Sequence, residues 1–214
     1  MDNIFSEYKV NYNYKNDLIN NFCQYGIKKI FSPHSFIEFE HKKLNHIYLI
    51  LEGKVKQYFI DINGEEKTIL ILSRGDIFGE ITLIQEDYDL VMTKALENTI
   101  VRKIDKNKFY QVLKENPNLY NSLLLMITTK FRILMAQIYD SSFHNIKNRL
   151  LFLLKRLSIQ QGIKTKVGIK INIKLTHEQL AAMIGSTRST VTKKLNELEE
   201  EDKIRRIKGN IHVL

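Results

Sequence analysis

The hydrophobic residues of this chain change their spacing near Pro117. Before this point, four short runs are rich in β-branched and aromatic residues, as in strands. These runs are residues 46–51, 55–60, 68–72 and 99–104. After it, apolar residues recur at alternating steps of four and three, which is a heptad spacing. The change predicts a β-domain followed by a long amphipathic helix.

Turn residues separate the predicted strands at short intervals. Asn63-Gly64 is the strongest signal, because both residue types accept a positive φ, and it predicts a two-residue hairpin. No helix of crossover length separates the strands, so the pattern argues against a parallel α/β sheet. The N-terminal part is therefore predicted to be an antiparallel sandwich or barrel.

The heptad stripe predicts a helix that begins at Pro117 and pairs with a second copy of itself. Its apolar face is wider than one stripe, since Leu123, Met126 and Ile133 flank it. One side can then pack on the β-domain while the other forms a homodimer. The predicted dimer interface consists of Tyr120, Leu124, Ile127, Phe131, Leu134 and Ile138.

A second helix is predicted over residues 143–160. Ser141 and Ser142 interrupt the heptad and are expected to act as hinge and N-cap, and Gly162 is expected to cap the end. A polar, strand-like segment follows at 166–174. We therefore divide the chain into a β-domain at 1–115, a dimerisation helix with its hinge at 116–142, and a C-terminal domain at 143–214.

The C-terminal domain carries the most specific motif, a helix-turn-helix. Thr176 and Gln179 have the spacing of a capping box, and Gly185 follows where a tight turn needs a positive φ. A second helix is expected from about Thr187, with Val191 on its buried side. Two short strands after it, at 204–207 and 211–214, are expected to form a basic wing.

This arrangement predicts binding to double-stranded DNA, because the start of the second helix can enter the major groove. Arginine there can bond bidentately to guanine. The predicted base-reading residues are Arg188, Ser189, Thr192 and Lys193. The predicted backbone-contacting residues are Thr176, Ser186, Thr187, Lys194 and Lys208.

The distribution of charge favours the same partner. Residues 1–140 carry 18 Lys and Arg against 18 Asp and Glu, whereas residues 141–214 carry 15 against 6. The whole net charge of +9 therefore lies in the last third of the chain. The longest uncharged stretch, at 116–129, is shorter than the roughly 20 apolar residues of a membrane span. We expect a cytoplasmic protein without a membrane partner.

Two other classes of function are alternatives to DNA binding. An enzyme on a β-barrel, such as a cupin-like oxygenase, would need closely spaced metal ligands, and the spacing of His41 and His46 does not match. We therefore predict that the protein is not an enzyme. The alternative within the same fold is a ligand-binding or adaptor protein whose winged helix contacts proteins rather than DNA.

Three segments, at 51–55, 75–80 and 188–193, read LEGKV, GDIFGE and RSTVTK. With these segments, the chain from about residue 28 to 214 resembles the cyclic-AMP receptor protein/fumarate-nitrate regulator (Crp–Fnr) family of bacterial transcription factors. The resemblance implies an α+β protein with a β-roll effector domain of the cyclic-nucleotide-binding type, a dimer helix and a winged helix-turn-helix. It also implies a palindromic DNA site, and RNA polymerase as a partner if the protein is an activator.

The chain departs from the family where cyclic AMP would bind. An Arg-Ser pair holds the cyclic phosphate in cyclic-AMP-responsive members, but the matching stretch here, 87–92, has no arginine and contains Asp87 and Asp89. Leu134 and Met135 replace the Thr-Ser that would meet the adenine. The signal is therefore expected to be something other than cyclic AMP. The predicted pocket consists of Gly79, Glu80, Leu90, Val91, Met92, Leu134 and Met135.

No cofactor is identified from the sequence. An iron–sulfur sensor needs several cysteines, and the chain has only Cys23. Haem stays open, since the chain has candidate histidines at His34, His41, His46 and His144. The effector is left unidentified, and so is the operator, because Ser189 stands where many members place a glutamate.

Overall fold

A computed structural model describes residues 12–38 and 43–214, which fall into two compact units, 12–133 and 134–214. His41 and the first 11 residues of the predicted β-domain lie outside the described residues. The mixed α+β architecture agrees with the predicted fold class.

The first unit is built around two antiparallel four-stranded sheets, in the orders β1-β8-β3-β6 and β2-β7-β4-β5. The four runs found in the sequence are confirmed as β3, β4, β5 and β8. The strands are β1 (Ile27–Phe31), β2 (Phe36–Glu38), β3 (His46–Glu52), β4 (Lys54–Ile60), β5 (Glu66–Ser73), β6 (Ile77–Phe78), β7 (Met92–Ala95) and β8 (Thr99–Asp105).

The predicted two-residue hairpin at Asn63-Gly64 is wrong. The last paired residues are Ile60 and Glu66, so the loop is longer. Asp61 organises it, because its carboxylate accepts hydrogen bonds from the backbone N–H groups of Asn63 and Glu65 at 2.9 and 2.8 Å. Gly64 has a φ of 81°, whereas Asn63 is not among the residues with a positive φ. The aspartate two residues before Asn63 therefore favours a longer loop over the two-residue turn.

Among the described residues, four helices accompany these two sheets, and only the last was predicted. They are α1 (Tyr14–Phe22), α2 (Glu80–Gln85), α3 (Lys106–Glu115) and α4 (Leu119–Phe143). α1, α3 and the start of α4 cover one side of the β1-β8-β3-β6 sheet. The core they share contains Leu18, Phe22, Ile47, Leu49, Ile104, Phe109, Val112, Leu123 and Met126.

Asp76 holds α1 to the β-domain. Its carboxylate accepts hydrogen bonds from the Tyr14 hydroxyl at 2.9 Å and from the Lys15 ammonium at 2.7 Å. The backbone N–H of Ser73 is a third donor, at 2.8 Å. Lys15 also explains Gly75, since a Cβ at that glycine would lie 2.5 Å from the Lys15 Cβ.

Replacing Asp76 with asparagine is expected to lower the free energy of unfolding by about 2 kcal/mol, because Lys15 loses its counter-charge in a mostly buried site. Chemical denaturation would measure the change. Glu97→Gln is the matched control, since it removes an ion pair to Lys54 from a carboxylate that is 46% exposed. The control is expected to change stability by less than about 0.5 kcal/mol. Equal losses in the two variants would contradict this role for Asp76.

α4 begins at Leu119, just after Pro117, which lies in the preceding turn. Within the described part of the chain, it is the one helix long and apolar enough to cross a membrane, by length and composition alone. However, Lys130 and Arg132 lie in its middle, and Lys130 is buried within the first unit. The heptad stripe accounts for the apolar character, so we interpret α4 as a packing helix.

The second unit contains the end of α4, three further helices and a small sheet. The helices are α5 (Ile146–Gln161), α6 (His177–Ile184) and α7 (Arg188–Glu200). The strands are β9 (Gly162–Lys164), β10 (Ile169–Ile171), β11 (Ile204–Ile207) and β12 (Asn210–Val213). They pair in the order β11-β12-β10-β9. The predicted wing is confirmed as β11 and β12, and the segment at 166–174 forms only the short strand β10.

The N-cap predicted at Ser141 and Ser142 is wrong, because α4 continues through both residues. The hinge predicted there stays a prediction. Their hydroxyls donate to the carbonyl of Ile138 at 2.8 and 2.9 Å, inside the helix. Asn145 caps α5 instead, accepting from the N–H of Asn148. Serine can bond back to a helical carbonyl, and here that option prevailed over capping.

Gly162 follows α5 as predicted, although its φ of −88° is not that of a left-handed cap. A Cβ at Gly162 would lie 1.9 Å from the carbonyl oxygen of Ser158. Close approach of the backbone, rather than a positive φ, explains the glycine.

Candidate nucleic-acid interface and effector site

The turn between α6 and α7 is fixed by local contacts. The predicted capping box is confirmed: Gln179 N–H donates to the Thr176 hydroxyl at 3.1 Å, and Thr176 N–H donates to the Gln179 side chain at 2.8 Å. Gly185 ends α6 with a φ of 67°, as predicted. The Thr187 side chain then accepts from the N–H of Thr190 and caps α7. These contacts define the angle at which α7 leaves the turn.

Apolar residues hold α6 and α7 together over α5. Ala181 is fully buried, and its small side chain lets the two helices approach closely. The wing strand β11 adds Ile204. The buried set comprises Leu150, Leu153, Leu154, Leu157, Leu180, Ala181, Ile184, Val191, Leu195, Leu198 and Ile204. The start of α7 is therefore a rigid surface.

The structure brings the predicted base-reading residues together on one face at the start of α7. Arg188, Ser189 and Lys193 are exposed, whereas Thr192 is half-buried. The Thr192 hydroxyl donates to the carbonyl of Arg188 at 2.9 Å. Arg188 and Ser189 lie about one helical turn before Thr192 and Lys193, so the set can span adjacent acceptors on bases or phosphates.

The predicted backbone-contacting residues differ in availability. Thr187 and Lys208 are exposed, and Lys208 lies in the β11–β12 turn with a φ of 49°. Thr176 is exposed but holds the capping box, and Ser186 is half-buried. Lys194 is paired with Glu197 at 2.6 Å, which lowers its availability to a phosphate.

The wing is less basic than the sequence suggested, because Arg206 is tied to α7. Its backbone N–H and its Nε donate to the two carboxylate oxygens of Glu199, each at 2.7 Å. Its guanidinium also donates to the Asn196 side chain at 2.8 Å. These bonds lower the pKa of Glu199. Arg206 therefore positions the wing, and Lys208 is the exposed cation at its tip.

Glu80, a predicted pocket residue, is closed off within the first unit. Gly79 has a φ of 85° and lets the chain turn into α2, where Glu80 is the first residue. The Glu80 carboxylate pairs with Lys130 of α4 at 2.7 Å, and both side chains are buried. Lys130 also donates to the carbonyl of Ile77 at 2.6 Å. Lys130 was missed in the sequence, although a lysine inside an apolar heptad helix is a usable signal.

The rest of the predicted pocket in the first unit is acidic at one side and open at the other. Asp89 is buried, and burial raises the pKa of its carboxyl, with repulsion from Glu38 and Glu80 adding to the effect. Leu90 is 68% exposed, while Val91 and Met92 are half-buried. An anionic ligand would meet a carboxylate here rather than a cation.

Glu38 is held by two partners from β3. Burial alone would raise its pKa, but hydrogen bonds from His46 at 3.0 Å and Tyr48 at 2.5 Å outweigh burial and lower it. His46 is thus engaged, and His144 packs between the rings of Tyr139 and Phe152. Across residues 12–38 and 43–214, no group of three or more His, Cys, Asp or Glu is arranged to hold a metal.

The predicted dimer interface forms an apolar stripe on α4. Leu124 is 59% exposed and Phe131 is 61% exposed, and Tyr120, Ile127 and Ile138 are exposed with them. Within the second unit, Leu134 is half-buried and Met135 is 44% exposed. The stripe is distinct from Leu123 and Met126, which pack into the core of the first unit.

Two family models match the sequence. The model of the cyclic nucleotide-binding domain matches residues 28–116, and the model of the Crp-like helix-turn-helix domain matches residues 148–214. Together they cover most of the chain. The first covers the β-domain, and the second covers the helix-turn-helix and its wing.

Named relatives agree with these matches. The chain is 30% identical over 175 residues to the anaerobic regulatory protein of Bacillus subtilis, covering 81% of this chain and 74% of that protein. It is 27% identical over 167 residues to the cyclic AMP receptor protein of Thermus thermophilus, covering 78% and 74%. Among solved structures, it resembles TTHA1359, a CRP/FNR-family transcriptional regulator from Thermus thermophilus, with a TM-score of 0.70, 25% identity, and coverage of 88% and 93%.

Proposed function

The chain belongs to the Crp–Fnr family of transcription regulators, and we propose that it acts as a homodimer on a palindromic DNA site, under a signal sensed by its β-roll. The observation that carries this proposal is the rigid start of α7, where Arg188, Ser189 and Lys193 are exposed on one face. The domain that presents them carries the excess positive charge of the chain. Phosphate attraction and base reading are thereby supplied by one surface.

The homodimer is supported by the apolar stripe on α4. An exposed stripe of large apolar residues at heptad spacing is typical of the seam of a coiled coil, in which each residue meets its counterpart on a parallel partner. A two-fold axis along α4 would present two copies of α7. Recognition helices in such dimers lie about one DNA turn, ~34 Å, apart, and a symmetric protein then selects a palindromic site.

The signal is proposed to differ from cyclic AMP, although one relative is named a cyclic AMP receptor protein. Asp89 is buried where the family's phosphate-binding stretch falls, and no arginine accompanies it. Glu80 is already paired with Lys130. A cyclic phosphate would have to approach a carboxylate in a poorly solvated site, which is unfavourable.

Titrating the protein with cyclic AMP in a calorimeter is therefore expected to give no saturable heat at micromolar concentration. The physical reason is that the stretch 87–92 carries Asp87 and Asp89 and has no arginine to pair with the phosphate. A parallel titration with a DNA duplex that the protein has enriched from genomic fragments shows that the sample is active. Saturable heat from cyclic AMP would contradict the proposed difference in signal.

The experiment that tests DNA binding is selection of genomic fragments by the purified protein, followed by fluorescence anisotropy on the enriched duplex. A palindrome whose affinity falls steeply with salt is the expected result. Selection repeated with cell extract would supply a missing effector. If no duplex is enriched in either case, the winged helix contacts another kind of partner, and the proposal is overturned.

A further inference from the structure

His177 contacts a residue of the recognition helix that lies 15 positions later in the chain. It is the first residue of α6, and its Nδ1 lies 2.7 Å from the hydroxyl of Thr192. Both residues are half-buried and lie beside the exposed Arg188. A histidine at the start of one helix therefore touches the base-reading face of the other.

The direction of this hydrogen bond follows from the second contact of Thr192. A hydroxyl has one hydrogen, and the Thr192 hydroxyl donates it to the carbonyl of Arg188 at 2.9 Å. It must then accept from His177, so Nδ1 of the imidazole carries the proton. A chain of two hydrogen bonds runs from His177 through Thr192 to the backbone of Arg188.

The surroundings disfavour the charged form of the imidazole. Burial lowers the pKa of His177, and the positive charges of Arg206 and Arg188 lower it further. A neutral ring protonated on Nδ1 has only an acceptor at Nε2. Such a ring is a poor ligand for a DNA phosphate, so its contact with Thr192 is the role that the geometry favours.

Threonine in a helix divides between two side-chain rotamers, because its hydroxyl can bond to a preceding carbonyl. The hydrogen bond between His177 and the Thr192 hydroxyl favours the rotamer in which it can form together with the bond to the Arg188 carbonyl. The hydroxyl is then directed into the protein. The Cγ2 methyl is the part of the side chain left for the groove.

We propose that His177 is a positioning residue that holds Thr192 so that its methyl group, rather than its hydroxyl, faces the major groove and contacts the methyl group of a thymine. The inference rests on the proposed function, since it needs α7 to read DNA. Apolar contact between a threonine methyl and the thymine methyl is an established means of reading that base. It predicts one thymine in each half-site that is read without a hydrogen bond.

Deoxyuridine tests the contact, because it differs from thymidine only by lacking the methyl group. Each thymine of the enriched duplex is replaced in turn, symmetrically in both half-sites, and affinity is measured by anisotropy. At one position we expect a loss of about fourfold per half-site, the value of one buried methyl. If no replacement lowers the affinity of the native protein, the inference is wrong.

Variants then separate positioning from other roles. Thr192→Ser removes the methyl and is expected to abolish discrimination between thymine and uracil, whereas Thr192→Val keeps a methyl and should preserve it. His177→Ala is expected to reduce the discrimination, and His177→Asn, whose amide offers an N–H, should restore it in part. In the Thr192→Val background, His177→Ala should have no further effect.

Two outcomes would overturn the inference while leaving the proposed function intact. His177→Ala could retain full discrimination at the same thymine, so that Thr192 needs no positioning. It could instead weaken all duplexes equally and reduce the salt dependence, which would make His177 a phosphate contact. Failure of the native protein to enrich any duplex would mark failure of the proposed function itself. Thermal unfolding of each variant checks that the domain remains folded.

Discussion

Arg188→Ala is expected to remove most of the preference of this protein for its DNA site while leaving non-specific binding largely intact. Arg188 is exposed at the first position of α7, where its guanidinium can bond bidentately to a guanine. Loss of that pair should cost about 1–3 kcal/mol of discrimination in each half-site. Anisotropy on the enriched duplex and on a scrambled duplex, at two salt concentrations, gives the ratio of affinities.

Two control variants distinguish base reading from charge. Lys166→Ala makes the same change of charge on the exposed β9–β10 loop and is expected to leave the affinity ratio unchanged. Lys208→Ala, at the tip of the wing, is expected to weaken both duplexes alike and to reduce the salt slope by about one. If Arg188→Ala behaved like Lys208→Ala, the Arg188 side chain would contact a phosphate, and another residue would read the base.

Leu124→Asp is expected to convert the proposed dimer into a monomer and to lower affinity for the proposed palindromic site by at least about 100-fold. Leu124 lies on the apolar stripe of α4, so each carboxylate would face its counterpart in a parallel pair. Bringing two like charges together in a poorly solvated seam is strongly unfavourable. The DNA effect follows because a monomer holds one half-site and loses the gain from linked binding.

Sedimentation at micromolar concentration gives the mass, and circular dichroism tests whether the protomer is folded. Leu124 is exposed in the single chain, so the substitution should not disturb the fold of the protomer. Asn121→Asp is the matched control, because it places the same charge on the exposed surface of α4 at a position that borders the stripe without belonging to it. A dimer of unchanged stability with Leu124→Asp would show that another surface pairs the chains.

Features set by neighbours in the chain could be predicted from the sequence. The capping box of Thr176 and Gln179 needs only residues three positions apart, and Gly185 needs only its own φ. The burial of Val191, Leu195 and Leu198 on one side of α7 follows from helical spacing. These short-range patterns established the helix-turn-helix and the exposed position of Arg188.

Local signals failed where two of them competed. Ser141 and Ser142 can cap a helix or bond back within one, and the continuing α4 used the second option. Asn63-Gly64 favours a tight hairpin, but the carboxylate of Asp61 captured the backbone N–H groups of the loop. Helices α1 and α3 were not predicted, because their apolar residues can be assigned to a buried face only once the sheet that they cover is known.

The sequence by itself therefore determined the change from a β-domain to helices, the exposed start of α7 and the apolar stripe of α4. Only the tertiary structure decided how distant polar groups pair. Lys130 reaches Glu80 across 50 positions, and His177 reaches Thr192 across the turn of the helix-turn-helix. No pattern along the chain encodes such pairs, because a hydrogen bond or a buried ion pair depends on distance and desolvation, which exist only after the apolar faces have packed.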